Sequence, residues 1–368
     1  MTVSEKKLRK KFTVRYLALP TVLGLSVIAY LLYAGYEPGQ FGIILQANFY
    51  WVGMAVAVLI VRDLGNMYRI RYITDQVLSW KQSFSVIMLW EFAACALPTV
   101  VGGTSVLAYI LFKEKIPLGR SIGKVMVISM LDNLYFVLAV PLVLYFTKGI
   151  LLPELVGIPG ALRETLAVAF IVSYVLVALS AFTMFYALFI NPHAVKRGLL
   201  YTCRIRLFGK WRQAILRHAN ELLLSSKHLR SKPAAYWFRA GVSTVFVWTA
   251  RYIIIGLLIA AFTTLNLHDH VVIFSRNLIY KIVLFVSVTP GAAGIAELAF
   301  PAFFGAYLGS FTAIAVFVYR ILTHYLYLII GAVVFPRWAA RVFKSEHAHV
   351  EPEHAGELQE DRRKRLQA

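Results

Sequence analysis

The sequence predicts an all-α, polytopic integral membrane protein, and three observations support that prediction. Of its 368 residues, 59% are hydrophobic, and the mean hydropathy is +0.68. A soluble protein of this length could not bury that much apolar surface, so the bilayer must act as its solvent. The formal net charge is +20, and the basic residues separate apolar runs instead of forming a basic domain. That placement is typical of loops that face anionic lipid, and it argues against nucleic-acid binding.

Apolar runs of about 20 residues can cross the hydrocarbon core, and this length predicts six full spans. They lie at 16–35, 41–61, 121–147, 164–190, 238–264 and 309–335. We take 16–335 as one transmembrane domain, preceded by a basic segment, 1–15, and followed by a polar tail, 336–368. No small-residue cleavage site follows the first run, so we expect an uncleaved span there. The composition of the tail predicts disorder.

Two further apolar regions are interrupted in a way that the six spans are not. These regions are 84–112 and 271–308. Their helix-breaking residues are Pro98, Gly102, Gly103, Pro290 and Gly291. Each break leaves two short helical pieces, and neither piece is long enough to span a bilayer alone.

Charge placement predicts how these two regions run through the membrane. Lys and Arg are concentrated in five segments, 6–15, 62–81, 113–124, 196–239 and 337–365. If these segments and both termini are on the cytoplasmic side of the cell membrane, 84–112 enters and leaves on the inner side and 271–308 on the outer side. The sequence therefore predicts two oppositely oriented re-entrant hairpins. This is the arrangement of inverted repeats, whose broken ends meet near the midplane. The alternative is two kinked helices and eight spans.

The basic loop at 191–237 contains "GKWRQAILRHANELLLSSKHL", whose apolar residues recur at helical spacing. This pattern predicts an amphipathic helix on the inner surface, where residues 196–239 contact anionic inner-leaflet lipids. A solvated loop with a surface helix is the alternative.

Eight ionisable residues lie within the apolar regions, where a charge is costly and therefore informative. They are Glu91, Asp132, Arg251, Arg276, Lys281, Glu297, Arg320 and His324. For each of them the sequence leaves two alternatives, an ion pair with another residue of this group or a role in binding a ligand. Glu91 and Glu297 are also candidate proton carriers, because burial favours the neutral form of a carboxyl group.

The helices that follow the two breaks are the candidate ligand site. Glu297 lies in or near the first turns after the second break, and Thr104 and Ser105 follow Gly102-Gly103 as natural N-cap residues. A helix that begins inside the membrane directs unpaired N–H groups and a positive dipole end toward a cavity, which suits a phosphate. Glycines in the breaks let that phosphate approach the backbone closely.

Arg320 and His324 are four residues apart, so they share one face of the last span. An arginine at that depth suits either Glu297 or a phosphate, which it can bind with two N–H groups. The segment "GRSIGK" is too short for a phosphate loop, and Val125 replaces its required hydroxyl residue. No catalytic constellation is present, so the sequence predicts no enzyme activity, no cofactor and no metal site.

One motif carries a specific family resemblance. The segment "TPGAAGIAELAF" is similar to the Pro-Gly-Gly-x-Gly-x-x-Glu signature of the flippase-like family, aligning Pro290, Gly291, Gly294 and Glu297. This family is also called the lysylphosphatidylglycerol synthase transmembrane region, and it includes the membrane half of the multiple peptide resistance factor. Ala292 stands where the signature often has its second glycine.

A second stretch, "LPTVVGGTSVLAYILFKEKIPLGRSIGKVMVISMLDNLYFVL", resembles the broken segment of the family and the acidic residue of its next span, here Asp132. Arg320 matches an arginine in the last span of the family, whereas Thr104 stands where many members have glutamate. The soluble aminoacyl-transferase domain of the full-length synthases has no counterpart in this sequence. We therefore expect no lipid aminoacylation by this chain.

The resemblance implies translocation of a lipid between leaflets, through a midplane site formed by broken helices. The lipid would be anionic or aminoacylated, of the phospholipid or polyprenyl-phosphate type. The candidate substrate-binding residues are Glu91, Gly102, Gly103, Thr104, Ser105, Asp132, Pro290, Gly291, Gly294, Glu297 and Arg320. The alternatives are an ion- or small-solute-coupled secondary transporter and an accessory subunit of a lipid-modifying or glycosyl transferase. A homo-oligomer or a transferase partner is compatible with each.

Overall fold

The described part of the chain is helical. The computed structural model describes residues 47–97, 103–147, 160–191, 226–287 and 289–342, with isolated positions 26, 193 and 223. The helices are α1 (Phe49–Ile73), α2 (Trp80–Ala96), α3 (Gly103–Lys113), α4 (Leu118–Phe146), α5 (Gly160–Phe185), α6 (Ala234–Ala260), α7 (Leu267–Val283), α8 (Ile295–Leu308), α9 (Thr312–Arg320) and α10 (326–342). Two π-helical turns extend α5 and join α9 to α10, at Tyr186–Ile190 and Ile321–Tyr325. The predicted all-α fold is confirmed.

Five helical stretches among the described residues are long and apolar enough to cross a membrane. They are Phe49–Ile73, Leu118–Phe146, Glu164–Ile190, Ala234–Ala260 and Ile295–Val342. The last stretch has 48 residues, more than twice the roughly 20 that a bilayer requires. Gly309 divides it, because its φ of +51° ends α8. These stretches correspond to the second to sixth predicted spans, and the first, 16–35, lies outside the described residues.

The first broken region folds back on itself. Ser79 starts α2 with a capping box, in which it exchanges hydrogen bonds with Gln82. Helix α2 ends at Ala96, and α3 returns to the level at which α2 began. There the Gln82 side chain donates a 2.8 Å hydrogen bond to Glu114, just beyond α3. We call α2 and α3, residues 80–113, the first hairpin.

The second broken region also folds back on itself. Asn266 starts α7 with a capping box, in which Asp269 is the partner. A 3-10 turn follows α7, and α8 then runs antiparallel to it. Arg276 of α7 donates to the carbonyl of Phe303 at 3.2 Å, and the hydroxyl of Tyr280 donates to the carbonyl of Ala296 at 2.8 Å. We call α7 and α8, residues 267–308, the second hairpin.

The two hairpins open at opposite ends of the helix bundle. At one end, the N–H of Asn48 donates to the carbonyl of Ala261 at 2.8 Å, and Phe262 stacks on Phe311. The second hairpin begins and ends there. At the other end, Asp75 accepts a 2.8 Å hydrogen bond from Lys232, and the first hairpin begins and ends there. This is the opposite orientation that the sequence predicts, whereas their re-entry into a bilayer stays a prediction.

Each hairpin forms part of a separate hydrophobic core. One cluster of buried side chains includes Ile87 and Leu107 of the first hairpin, and the other includes Tyr280 and Phe300 of the second. Tyr319 of α9 packs against both clusters. Helices α4 and α6 contribute side chains to both clusters. The hairpins thus lie in different cores and open at opposite ends of the bundle, the opposed orientation expected of an inverted repeat.

The sequence predicted a loop over the whole basic segment at 62–81, but the first part of this segment is helical. Helix α1 continues to Ile73, and it buries Arg62 and Arg69, whose exposed fractions are 1% and 2%. Both arginines pair with carboxylates inside the bundle, so they do not need water. The hydropathy pattern ended the predicted span at residue 61, because hydropathy treats a charged side chain as polar whether or not a carboxylate pairs with it.

The last span also continues beyond its predicted end at residue 335. Helix α10 reaches residue 342, and its Trp338 and Arg341 donate to Glu114 at the start of the turn after the first hairpin. Residues 343–368 lie outside the described residues. So does most of the predicted amphipathic helix in 196–239, of which the structure describes a helical end at 226–230.

Asp75 joins three segments at the end of the bundle where the first hairpin opens. Its carboxylate accepts hydrogen bonds from Lys124 of α4 at 2.7 Å and from Lys232, just before α6, at 2.8 Å. Burial alone would raise the pKa of Asp75, but the hydrogen bonds and charges of the two lysines outweigh burial and lower it.

The lowered pKa of Asp75 predicts a pH-dependent stability. A carboxyl group with a lowered folded-state pKa stabilises the fold above about pH 4, and that contribution is lost as the pH falls through the folded-state pKa. The effect should stay below about 1 kcal/mol, because Asp75 is partly exposed. Melting temperatures in detergent should therefore fall more steeply below about pH 4 for wild type than for Asp75→Asn. Identical pH profiles for the two proteins would contradict this role.

Candidate functional site at the junction of the hairpins

The tips of the two hairpins meet in the interior of the bundle. Leu97 directly follows α2, and Gly291 lies in the break between α7 and α8. The N–H of Gly291 donates a 3.2 Å hydrogen bond to the carbonyl of Leu97. The second break is therefore joined through its backbone to the residue that directly precedes the first break, whose own residues 98–102 are outside the described ranges.

Glu297 connects the start of α8 to the last span. It is the third residue of α8, and its side chain is fully buried. One carboxylate oxygen accepts a 2.7 Å hydrogen bond from the N–H of Gly294, and the other accepts a 2.6 Å hydrogen bond from Nε of Arg320. The sequence predicted a phosphate at the N-terminus of this helix. The carboxylate of Glu297 takes that place, because it accepts a hydrogen bond from the N–H of Gly294 and its negative charge lies at the positive end of the helix dipole.

The second break depends on left-handed backbone. Gly291 has φ = +56° and Gly294 has φ = +84°, which favour glycine. Gly291 is also crowded: a Cβ at this position would lie 2.7 Å from the carbonyl oxygen of Cys95 and would overlap the ring of His324. Ala292 has φ = +55°. That conformation explains why glycine suits the position in the family signature.

Glu91 of the first hairpin lies at the centre of a second group of charges. It accepts a 2.5 Å hydrogen bond from Arg251 of α6 and pairs with Arg62 of α1 at 3.2 Å. Arg62 also pairs with Asp63 and donates to the hydroxyl of Tyr327 at 2.7 Å. This network links the first hairpin to α1, α6 and α10.

Asp132 of α4 lies in a third group, separate from the breaks. It pairs with Arg69 of α1 and accepts a 2.7 Å hydrogen bond from the indole of Trp248. Arg69 in turn lies over the ring of Trp90, and Trp90 contacts the position where a Cβ of Gly103 would be. Among the described residues, Asp132 is thus linked to the first hairpin through Arg69, which lies over Trp90.

Several polar atoms at the junction have no partner within the described ranges. Nη2 of Arg320 and Nε2 of His324 are buried without a hydrogen bond. Lys281 of α7 is half-buried, and its amine makes no hydrogen bond or ion pair with any described residue. Its charge lies within electrostatic range of Glu91, Arg251 and Arg320. Buried donors without partners are costly, so the junction favours an acceptor that can approach them.

The structure brings together some of the predicted site residues and separates others. Those of the second break and the last span lie together: Pro290, Gly291, Gly294, Glu297 and Arg320. Glu91 is next to them through Arg251 and Lys281, whereas Asp132 belongs to the separate group. Thr104 and Ser105 are exposed and lie within α3, which begins at Gly103, so they are not its N-caps. Gly102 is outside the described residues.

Sequence reasoning missed three charged residues of the network, Arg62, Asp63 and Arg69, because a boundary at residue 61 put them in a loop. A signal was available in the spacing of Arg62, Asn66 and Arg69. Polar residues at this i, i+4, i+7 spacing share one helical face, and all three are buried on α1.

A comparison with known proteins identifies the family. The family model described as "Lysylphosphatidylglycerol synthase TM region" matches residues 17–331. The chain belongs to this family. No curated protein and no solved structure matches it. Membership and the apolar helices together make it a multi-pass membrane protein related to lipid handling.

The crowding at Gly291 generates a prediction about stability. Gly291→Ala should destabilise the protein by at least about 2 kcal/mol, because alanine is disfavoured at positive φ and the added methyl overlaps packed atoms. The melting temperature in detergent should fall accordingly. The matched control is Gly241→Ala, at a helical glycine with nothing within 4 Å of an added Cβ. The control should be neutral or stabilising, and equal melting temperatures for the two variants would contradict the role of Gly291.

Proposed function

We propose that this protein moves a lipid with a phosphate-containing headgroup between the two leaflets of the cell membrane. The observation that supports the proposal best is the junction itself. There, two broken helices meet beside buried charges and unpartnered N–H donors. Both hairpins would be re-entrant, with both termini in the cytoplasm, so that the junction lies near the midplane.

The chemistry of the junction suits a phosphate. Arginine and lysine donors bind phosphate oxygens strongly, and arginine can bind with two parallel N–H groups. Two such cations, Arg251 and Arg320, each lie within electrostatic range of a third, Lys281. Charges inside a membrane domain are expensive, and they can mark the path of a polar substrate.

The inverted arrangement suggests how the headgroup would cross. Each hairpin belongs to its own hydrophobic core, and Tyr319 packs against both. Rocking of one half against the other would expose the junction to each leaflet in turn, as in transporters built from inverted repeats. The acyl chains would stay in the bilayer while the headgroup passes the junction.

Two other functions use the same features. A secondary transporter for an ion or small solute would need a cavity closed to lipid, and an accessory subunit of a transferase would co-purify with an enzyme and transport nothing alone. The family relationship to lipid handling favours the lipid translocator over the solute transporter, and a liposome assay separates it from the accessory subunit.

A liposome assay tests the proposal. Purified protein is reconstituted with lipids labelled on the acyl chain, and a membrane-impermeant reductant removes the fluorescence of the outer leaflet. Protein-containing vesicles should expose inner-leaflet lipid, and Glu297→Gln should slow this about tenfold or more, because it removes the charge partner of Arg320. Glutamine can still cap α8, so the variant should fold.

The matched control is Glu164→Gln, which changes an exposed carboxylate on α5. This variant should transport at the wild-type rate. If wild-type protein moves no lipid under any imposed ion gradient, the proposal is wrong and the accessory-subunit function takes its place. If Glu297→Gln folds and transports at the wild-type rate, the junction is not the transport site.

A further inference from the structure

The interior of the described bundle contains more positive than negative charge. Glu114 and Lys124 are also buried, but they pair with Arg341 and Asp75 at the end where the first hairpin opens. Deeper in the described bundle lie four carboxylates, those of Asp63, Glu91, Asp132 and Glu297. Six cationic side chains accompany them: Arg62, Arg69, Arg251, Arg276, Lys281 and Arg320. An uncompensated charge in a low-dielectric interior is strongly unfavourable. The interior is therefore suited to an additional anion.

The four carboxylates are already occupied by partners in the protein. Glu297 binds Arg320 and the start of α8, and Glu91 binds Arg251 and Arg62. The other two are held in the same way, Asp63 by Arg62 and Tyr327, and Asp132 by Arg69 and Trp248. None of them is left to neutralise a further cation.

The excess charge is concentrated at Lys281. Arg276, the other cation that forms no ion pair with a described residue, donates to the carbonyl of Phe303 and lies over the ring of Tyr307. Lys281 has no such partner among the described residues, and it lies on α7 shortly before the break. Its charge is in range of Arg251 and Arg320, and also of Glu91, whose carboxylate is already held by Arg251 and Arg62. Nη2 of Arg320 is buried without an acceptor among the described residues.

We infer that the junction selects a headgroup with a net negative charge, a phosphate without an attached amine, and that Lys281 is the residue that recognises it. This inference rests on the proposed function and narrows its substrate class. An anionic phosphate would neutralise Lys281 and supply an acceptor to Arg320. A lipid whose phosphate bears a lysyl group has a net positive charge, and it would add to the repulsion that Lys281 already experiences from Arg251 and Arg320.

The test compares three headgroups in the same liposome assay. Acyl-labelled phosphatidylglycerol, phosphatidylcholine and lysyl-phosphatidylglycerol have net charges of −1, 0 and +1, and a label on the acyl chain leaves each headgroup intact. Wild-type protein should move phosphatidylglycerol at least about tenfold faster than the lysyl form, the difference expected of one well-placed charge. Lys281→Met should remove this preference, and Lys281→Arg should keep it.

The matched control is Lys227→Met, which removes an exposed lysine outside the bundle interior and should preserve the preference. Movement of all three lipids at equal rates, or faster movement of the lysyl form, would overturn this inference and leave the proposed function standing. Absence of any lipid movement would overturn both. Uptake of radiolabelled inorganic phosphate without lipid movement would overturn the lipid headgroup as the source of the phosphate.

If Lys281→Met does not fold, Lys281→Arg gives a second test. Arginine keeps the charge and extends the reach of the donors, so this variant should retain selectivity even if its rate changes. Loss of selectivity in Lys281→Arg, with lipid movement maintained, would overturn the role of Lys281 in recognition.

Discussion

The arrangement at the centre of this protein depends on the fully buried carboxylate of Glu297. One oxygen satisfies the N-terminus of α8 and the other holds Arg320 of the last span. An isolated carboxylate could not remain charged in such a place, and an isolated arginine would be equally unfavourable. The pair allows a helix to begin inside the bundle, and the left-handed turn at Gly291 then lies against the first hairpin.

The same constraint explains the rest of the interior. A helix that ends within a membrane exposes backbone groups that no solvent satisfies, so it must find partners in the protein. Here the N–H of Gly291, in the second break, donates to the carbonyl of Leu97 at the end of α2, and paired charges tie each hairpin to the surrounding spans. The hairpins enter from opposite ends of the bundle and form two separate cores. The residues that stabilise the interior are thus also those of the proposed polar pathway.

The sequence predicted the all-α membrane fold, the two broken regions and the grouping of Pro290, Gly291, Gly294, Glu297 and Arg320, because hydropathy, charge placement and helix-breaking residues are local signals. It could not predict pairing. Arg62 and Arg69 read as loop residues because their partners, Glu91 and Asp132, are distant in sequence. Because pairing could not be predicted, the N-terminus of α8 was expected to be free to bind a phosphate, whereas the carboxylate of Glu297 binds there. Lys281 has no ion-pair partner among the described residues, and this too could be recognised only once the partners of the other charges were known.

The proposed function depends on two oppositely oriented hairpins that enter the membrane and meet. The most direct test is to determine from which side of the membrane the ends of each hairpin can be labelled. Single cysteines would replace Gln76, Lys115, His268 and Ser310, which are exposed and flank the hairpins, in a background without Cys95 and Cys203. An impermeant maleimide should label positions 76 and 115 only from the cytoplasmic side, and positions 268 and 310 only from the opposite side. Labelling of the two ends of either hairpin from opposite sides would contradict the account, since that region would then be a kinked full span.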